Sequence, residues 1–117
     1  MPPRPLIAMP FAAIGPYRVT VEYRQGQNTT ASVHDTEGEL DYVIDGAGKF
    51  VSGGALVEPK RTNATNQSGT KIEGGTSMHI AKGDWIVLSV GQPHHTIPDT
   101  GGNVVLMTFH IPASTAN

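Results

Sequence analysis

The chain has 117 residues, enough for one hydrophobic core and not two; its fourteen glycines and nine prolines disfavour helices and favour short strands joined by turns. A formal net charge of −2, with no basic cluster, excludes an electrostatic footprint for nucleic acid or an anionic membrane surface, so a small molecule is the expected partner. The absence of cysteine excludes disulfides, thiolate metal sites and cysteine nucleophiles, and the absence of a long apolar run or a signal-peptide pattern predicts a soluble, cytoplasmic protein.

Residues 1–16 carry Pro2, Pro3, Pro5, Pro10 and Pro16, which remove backbone donors and predict an extended arm rather than a helix. Its Leu6, Ile7, Met9 and Phe11 need apolar cover, which docking across a dimer partner would supply. A single domain is expected over residues 17–117. Its first strand is Tyr17 to Tyr23, where Tyr17, Val19, Val21 and Tyr23 alternate with polar residues.

Further strands are predicted at Thr29 to His34, Glu39 to Asp45, Lys49 to Val51, Ala55 to Glu58, Ser77 to Ile80, Asp84 to Val90, His94 to Ile97 and Asn103 to Ile111. Turn signals separate them at Asp45-Gly46, Ser52-Gly53-Gly54, Gly74-Gly75, Lys82-Gly83-Asp84 and Asp99-Thr100-Gly101-Gly102. The class is all-β, a sandwich or a closed barrel. The polar stretch from Pro59 to Gly75 reads either as a lid or intersubunit flap or as a tolerated insertion.

Two stretches carry candidate chemistry. In the first, Ser32 and His34 share a strand face, and a turn at Asp35-Thr36-Glu37-Gly38 would let His34 and Glu39 converge. Glu39 and Asp41 share a face and form a carboxylate pair close enough for one to raise the other's proton affinity if both are buried, a candidate catalytic pair for proton transfer. The competing reading makes Leu40, Tyr42 and Ile44 the core face of an ordinary amphipathic strand and leaves Glu39 and Asp41 in water. In the second stretch a strand from Asp84 runs into Gly91-Gln92-Pro93-His94-His95, and only one of the adjacent histidines can face inward.

The spacing of Gly26, position 32, His34, Glu39 and Gly46, followed by that of Gly83, Gly91 and His94, resembles the two sequence motifs of the cupins, and together they span about two-thirds of the chain. The resemblance implies a double-stranded β-helix, a jelly-roll-like barrel that is frequently a homodimer. It also implies one divalent metal ion, of iron, manganese, nickel or zinc, held by His34, Glu39 and His94. Ser32 stands where the pattern has a further histidine, Ser89 replaces a proline and Pro98 replaces an asparagine. His79 or His110 could restore a fourth ligand or could be ordinary histidines. Trp85, Met78, Met107 and Phe109 read as packing residues.

The function expected is that of a metal-dependent enzyme acting on a small oxygenated organic molecule, as an isomerase, lyase or dehydratase, or as a dioxygenase with iron. The alternatives are a non-catalytic ligand-binding module with a degenerate metal site, or a structural subunit that docks through the arm and the 59–75 loop.

Overall fold

The computed structural model describes residues 6–26 and 29–113, so Pro2, Pro3 and Pro5 of the expected arm lie outside the described residues. All regular structure among the described residues is β-strand: β1 (Leu6–Ile14), β2 (Tyr17–Gln25), β3 (Ala31–His34), β4 (Glu37–Ser52), β5 (Ala55–Leu56), β6 (Lys60–Arg61), β7 (Asn66–Gly69), β8 (Ile72–Glu73), β9 (Thr76–Ala81), β10 (Trp85–Leu88), β11 (His94–Pro98) and β12 (Asn103–Pro112). Ten of them form one antiparallel sheet in the order β1-β2-β12-β4-β11-β3-β7-β6, with β9 and β10 also paired to β4, and β5 pairs with β8 separately.

The 16-residue β4 builds the curl of this sheet. Its first part pairs with β12 and β10, and its last part with β11 and β9, so one strand passes from one wall of the barrel to the other. The crossing lies at Asp45-Gly46, just after a bulge at Ile44 where the β12 register shifts between Val43 and Asp45. Gly46 has φ +84°, and a Cβ there would collide with the carbonyl oxygen of Asn103. The sequence signal at Asp45-Gly46 therefore marks a bend within a continuous strand and not a turn between two strands.

One end of the interior is apolar, filled by Val43, Phe50, Ile80, Ile86, Leu88, Val104 and Leu106. The other end is polar. Cα partners across the ladders align Thr20, Thr108 and Asp41 in one row and Arg18, His110 and Glu39 in the next, on the face that carries the buried Val43 and Leu106.

The outer face of the same wall is apolar, which reverses the expected polarity. Met9, Val21, Met107, Tyr42 and Trp85 form one cross-strand row, and Val19, Phe109, Leu40 and Val87 form another. The Tyr42 and Trp85 rings meet at a tilt of 46° with centroids 4.7 Å apart, but Trp85 is 57% exposed and Met78 is exposed as well. The expectation that Trp85 packs in the core is thus corrected: it points away from the barrel interior, whereas Met78 shares a face with the buried Phe50 and Ile80 despite its exposure.

Part of the expected arm is an edge strand. All nine residues of β1 are exposed, and its ladder with β2 runs from Leu6 opposite Arg24 to Ile14 opposite Tyr17.

The stretch from Pro59 to Gly75 is ordered by strand pairing rather than left as a loose loop. β7 pairs with both β6 and β3 and extends the barrel wall, the Asp35 amide donates to the Thr65 carbonyl, and Arg61 Nη1 donates to Asp35 Oδ2 at 2.8 Å.

A candidate metal centre

Glu39 sits at the middle of the polar end. Position 39 falls on the same face as Asp41 and Val43, so the strand alternation that buries Val43 also buries both acids. This overturns the reading in which Leu40, Tyr42 and Ile44 face the core and the carboxylates face water. The reading failed because the outer wall here is apolar, so alternation in hydrophobicity does not reveal which face is inside.

Three imidazoles surround Glu39 Oε1. His34 Nε2 lies 3.0 Å away, His110 Nδ1 3.6 Å and His94 Nε2 3.9 Å. His34 comes from β3 and reaches Glu39 across a two-residue bend at Asp35-Thr36, shorter than the four-residue turn expected. His94 opens β11 directly opposite Ser32. One donor atom from each of His34, Glu39 and His94 lies within 4.8 Å of the others, and the three groups are half-buried or buried.

The hydrogen bonds outside this group fix which nitrogen of each ring looks inward. The backbone carbonyl of Gln92 can only accept, so His94 Nδ1 donates to it at 3.1 Å and Nε2 carries the lone pair in the neutral ring. Burial lowers the proton affinity of His94, keeping it neutral. His34 Nδ1 faces Asn66 Oδ1 at 2.8 Å, an acceptor, so it too donates outward and turns Nε2 toward Glu39.

With no cation present, electron-rich His34 Nε2 and Glu39 Oε1 at 3.0 Å require a proton between them. The hydrogen bond from Glu39 does raise the His34 pKa above its ordinary value, against the opposing effect of burial. Such a group is protonated where a metal would otherwise sit.

The two carboxyls share one negative charge. Burial, then the charge of Glu39 and a hydrogen bond with it, push the Asp41 pKa far up, so Asp41 holds a proton and shares it with Glu39. Burial acts to raise Glu39 too, but the His34 hydrogen bond and the surrounding imidazoles outweigh it and hold Glu39 below the usual carboxylate range. His94 contributes to this only when protonated, which its own burial opposes, so His34 is the effective cationic partner.

His95 lies on the opposite face of β11, where its Nε2 is 3.0 Å from the Thr29 carbonyl and 3.1 Å from the Thr29 hydroxyl. His79 is exposed on β9 opposite Lys49, away from the three rings. Asn66 and Gln92, which orient His34 and His94, were not foreseen. Neither has a sequence signal, because Asn66 meets His34 through the β3–β7 pairing of distant segments.

The donor set fits a divalent cation. Imidazole nitrogen and carboxylate oxygen suit zinc, iron, manganese and nickel, and donor atoms bound to one such ion at about 2.0–2.2 Å lie about 3–3.5 Å apart, close to the separations around Glu39.

No protein-family model and no curated protein matches the chain. Solved structures do. An uncharacterized conserved protein with a double-stranded β-helix domain from Klebsiella pneumoniae is 17% identical, with a TM-score of 0.66, over 95% of this chain and 80% of that one. The DMSP lyase DddQ from Ruegeria pomeroyi is 13% identical with a TM-score of 0.65, over 96% of this chain and 49% of the lyase. A cupin protein from Bacteroides fragilis is 10% identical with a TM-score of 0.54, over 86% of this chain and 70% of that one.

Proposed function

We propose, from the premise that this chain has the cupin fold, that it holds one divalent cation of iron, manganese, nickel or zinc between His34, Glu39 and His94 and acts on a small oxygenated organic molecule by metal-assisted proton transfer. The observation that carries the reading is the orientation of the rings. Backbone and side-chain acceptors outside the site take the Nδ1 protons of His34 and His94, so both Nε2 atoms are turned toward one carboxylate oxygen, where a cation would replace the proton that His34 Nε2 holds.

Bound there, the cation would polarise a carbonyl or hydroxyl group as a Lewis acid, or with iron support oxidation by dioxygen. Asp41 holds a proton next to Glu39 on the interior face and is the group placed to give or take one during an isomerisation, elimination or dehydration. Arg24 is inside the barrel as well, paired through one nitrogen with Glu22 at 3.1 Å while its buried Nε lacks a hydrogen-bond partner in the chain. An oxygen of the substrate would satisfy it.

A second reading, a binding module with a degenerate metal site, is favoured by Ser32, which takes the position of an imidazole opposite His94. The histidine pair separates the two. His94→Ala is expected to lower metal occupancy at least about tenfold, and His95→Ala to leave it within about twofold, as measured by elemental analysis after dialysis against a weak chelator. Equal losses, or no metal in the parent protein after exposure to iron(II), manganese(II), nickel(II) or zinc(II), would favour the module.

We further propose that a second copy of the chain covers the outer apolar wall. The two cross-strand rows from Met9 to Trp85 and from Val19 to Val87 contain no charged side chain, and although Val19 is already buried, Met9, Trp85 and Val87 are exposed, an apolar patch that a partner would cover. A second copy presents the same rows, so a two-fold pairing buries both at once. Trp85→Glu with Val87→Lys is expected to convert a dimer to a monomer in sedimentation analysis. An unchanged mass for the variant, or a monomeric parent, would contradict the pairing.

A further inference from the structure

Resting on the metal reading above, we infer that His110 supplies a fourth donor to the same cation through Nδ1, taking over from β12 the place that Ser32 leaves open on β3.

A chain of hydrogen bonds determines how His110 presents itself. The Thr108 hydroxyl has one proton and donates it to the Thr20 carbonyl at 3.3 Å. Its oxygen can then only accept from His110, so His110 Nε2 donates to Thr108 Oγ1 at 3.2 Å and the neutral ring carries its lone pair on Nδ1. That Nδ1 is buried and has no hydrogen-bond partner. It faces Glu39 Oε1 at 3.6 Å and Glu37 Oε1 at 3.8 Å.

A buried lone pair aimed at carboxylate oxygens is unfavourable unless something positive lies between them. Glu37 is already held by both of its oxygens to Arg18 Nη2, at 2.7 and 2.8 Å, so it needs no charge from His110. Glu39 is the remaining partner, and it is the carboxylate on which His34 and His94 also converge. His110 and Glu39 are directly opposed on the β12–β4 ladder, which keeps the two side chains together.

The geometry also shows why this donor is separate from the other three. The His34 and His110 rings meet edge to face with centroids 6.0 Å apart, against 5.1 Å for His34 and His94. His110 thus stands one step back from the tighter group of His34, Glu39 and His94. Ser32 lies on the other side, opposite His94, with a side chain too short to reach as an imidazole does.

The test counts nitrogens on copper(II) bound to the full chain, by the hyperfine structure of its electron paramagnetic resonance spectrum, together with affinity by chelator competition. The parent is expected to show three coordinated nitrogens. His110→Ala is expected to show two and to bind at least about tenfold more weakly, and adding Ser32→His to that variant to restore the third nitrogen and most of the affinity. Circular dichroism identifies a misfolded variant, in which case His110→Gln takes its place with the same expectation. Two nitrogens in the parent, or three in the folded His110 variant, would overturn the role of His110 while leaving the metal reading intact. No copper retained by the parent would overturn both.

Discussion

Glu39→Gln is expected to lower divalent-metal affinity by about 100- to 1,000-fold, more than any other single change at the site. Glu39 is the one anionic donor in the group of His34, Glu39 and His94, and its oxygen is the common point of the three imidazole contacts. The carboxamide keeps the shape and removes the charge, so the loss measures electrostatic attraction in a site shielded from water, where it is large. Competition with a chromogenic chelator reads it directly. A loss of less than about threefold would mean that the cation, if bound, is held elsewhere.

The second large effect concerns the protein without metal. Asp41 is 2% exposed, and its pKa is pushed far above the ordinary 3.8 by burial and by Glu39. Between 3.8 and the raised value the folded chain keeps a proton that the unfolded chain has released, so the folded state binds more protons and stability falls as pH rises. His34 acts in the same direction over a narrower window. Its raised pKa gives stability that is present below 6.5 and is lost as pH passes through the folded value. Glu39, depressed, contributes above 4.5 and loses that contribution only in strong acid.

Asp41→Asn keeps a donor toward Glu39 and removes the titration. The metal-free variant is expected to be more stable than the parent by about 1–3 kcal/mol at pH 8, with the advantage shrinking toward pH 4. Urea unfolding across that range in the presence of a chelator tests it. A variant less stable than the parent at pH 8, or an advantage that does not change with pH, would contradict the placement of the proton on Asp41. In the same variant, turnover of any substrate that depends on proton transfer should fall while metal affinity stays within a few-fold.

The fold was legible in the sequence because its signals are local. Gly and Pro placement excluded helices, the alternation from Tyr17 to Tyr23 announced β2, and the spacing of His34, Glu39, Gly46 and His94 pointed to the double-stranded β-helix that the solved structures share. Strand boundaries failed mainly at Asp45-Gly46. A glycine with positive φ serves a bend in a continuous strand as well as a turn, and only the pairing of β4 with β12 and β9 distinguishes the two.

Face assignment was legible only where one side of a strand is clearly polar. On β12, Val104 and Leu106 alternate with Val105, Met107 and Phe109, so both faces read as apolar and the inward course of Thr108 and His110 is hidden. On β4 the more hydrophobic face, Leu40 with Tyr42, points outward while Glu39 and Asp41 point in. The usual inside-out rule is inverted because this end of the interior collects polar side chains while the outer wall carries the apolar rows. Second contacts such as Asn66 to His34 were unreadable for another reason: they depend on pairing between β3 and β7, about thirty residues apart, which no local pattern encodes.

Cobalt(II) soaked into crystals of the chain, with anomalous diffraction collected at the metal edge, places the ion without reference to any activity. The expected result is a single strong peak in bonding contact with His34 Nε2, Glu39 Oε1 and His94 Nε2. A peak on exposed side chains such as His79, or no peak among the three groups at saturating cobalt, would contradict the central claim.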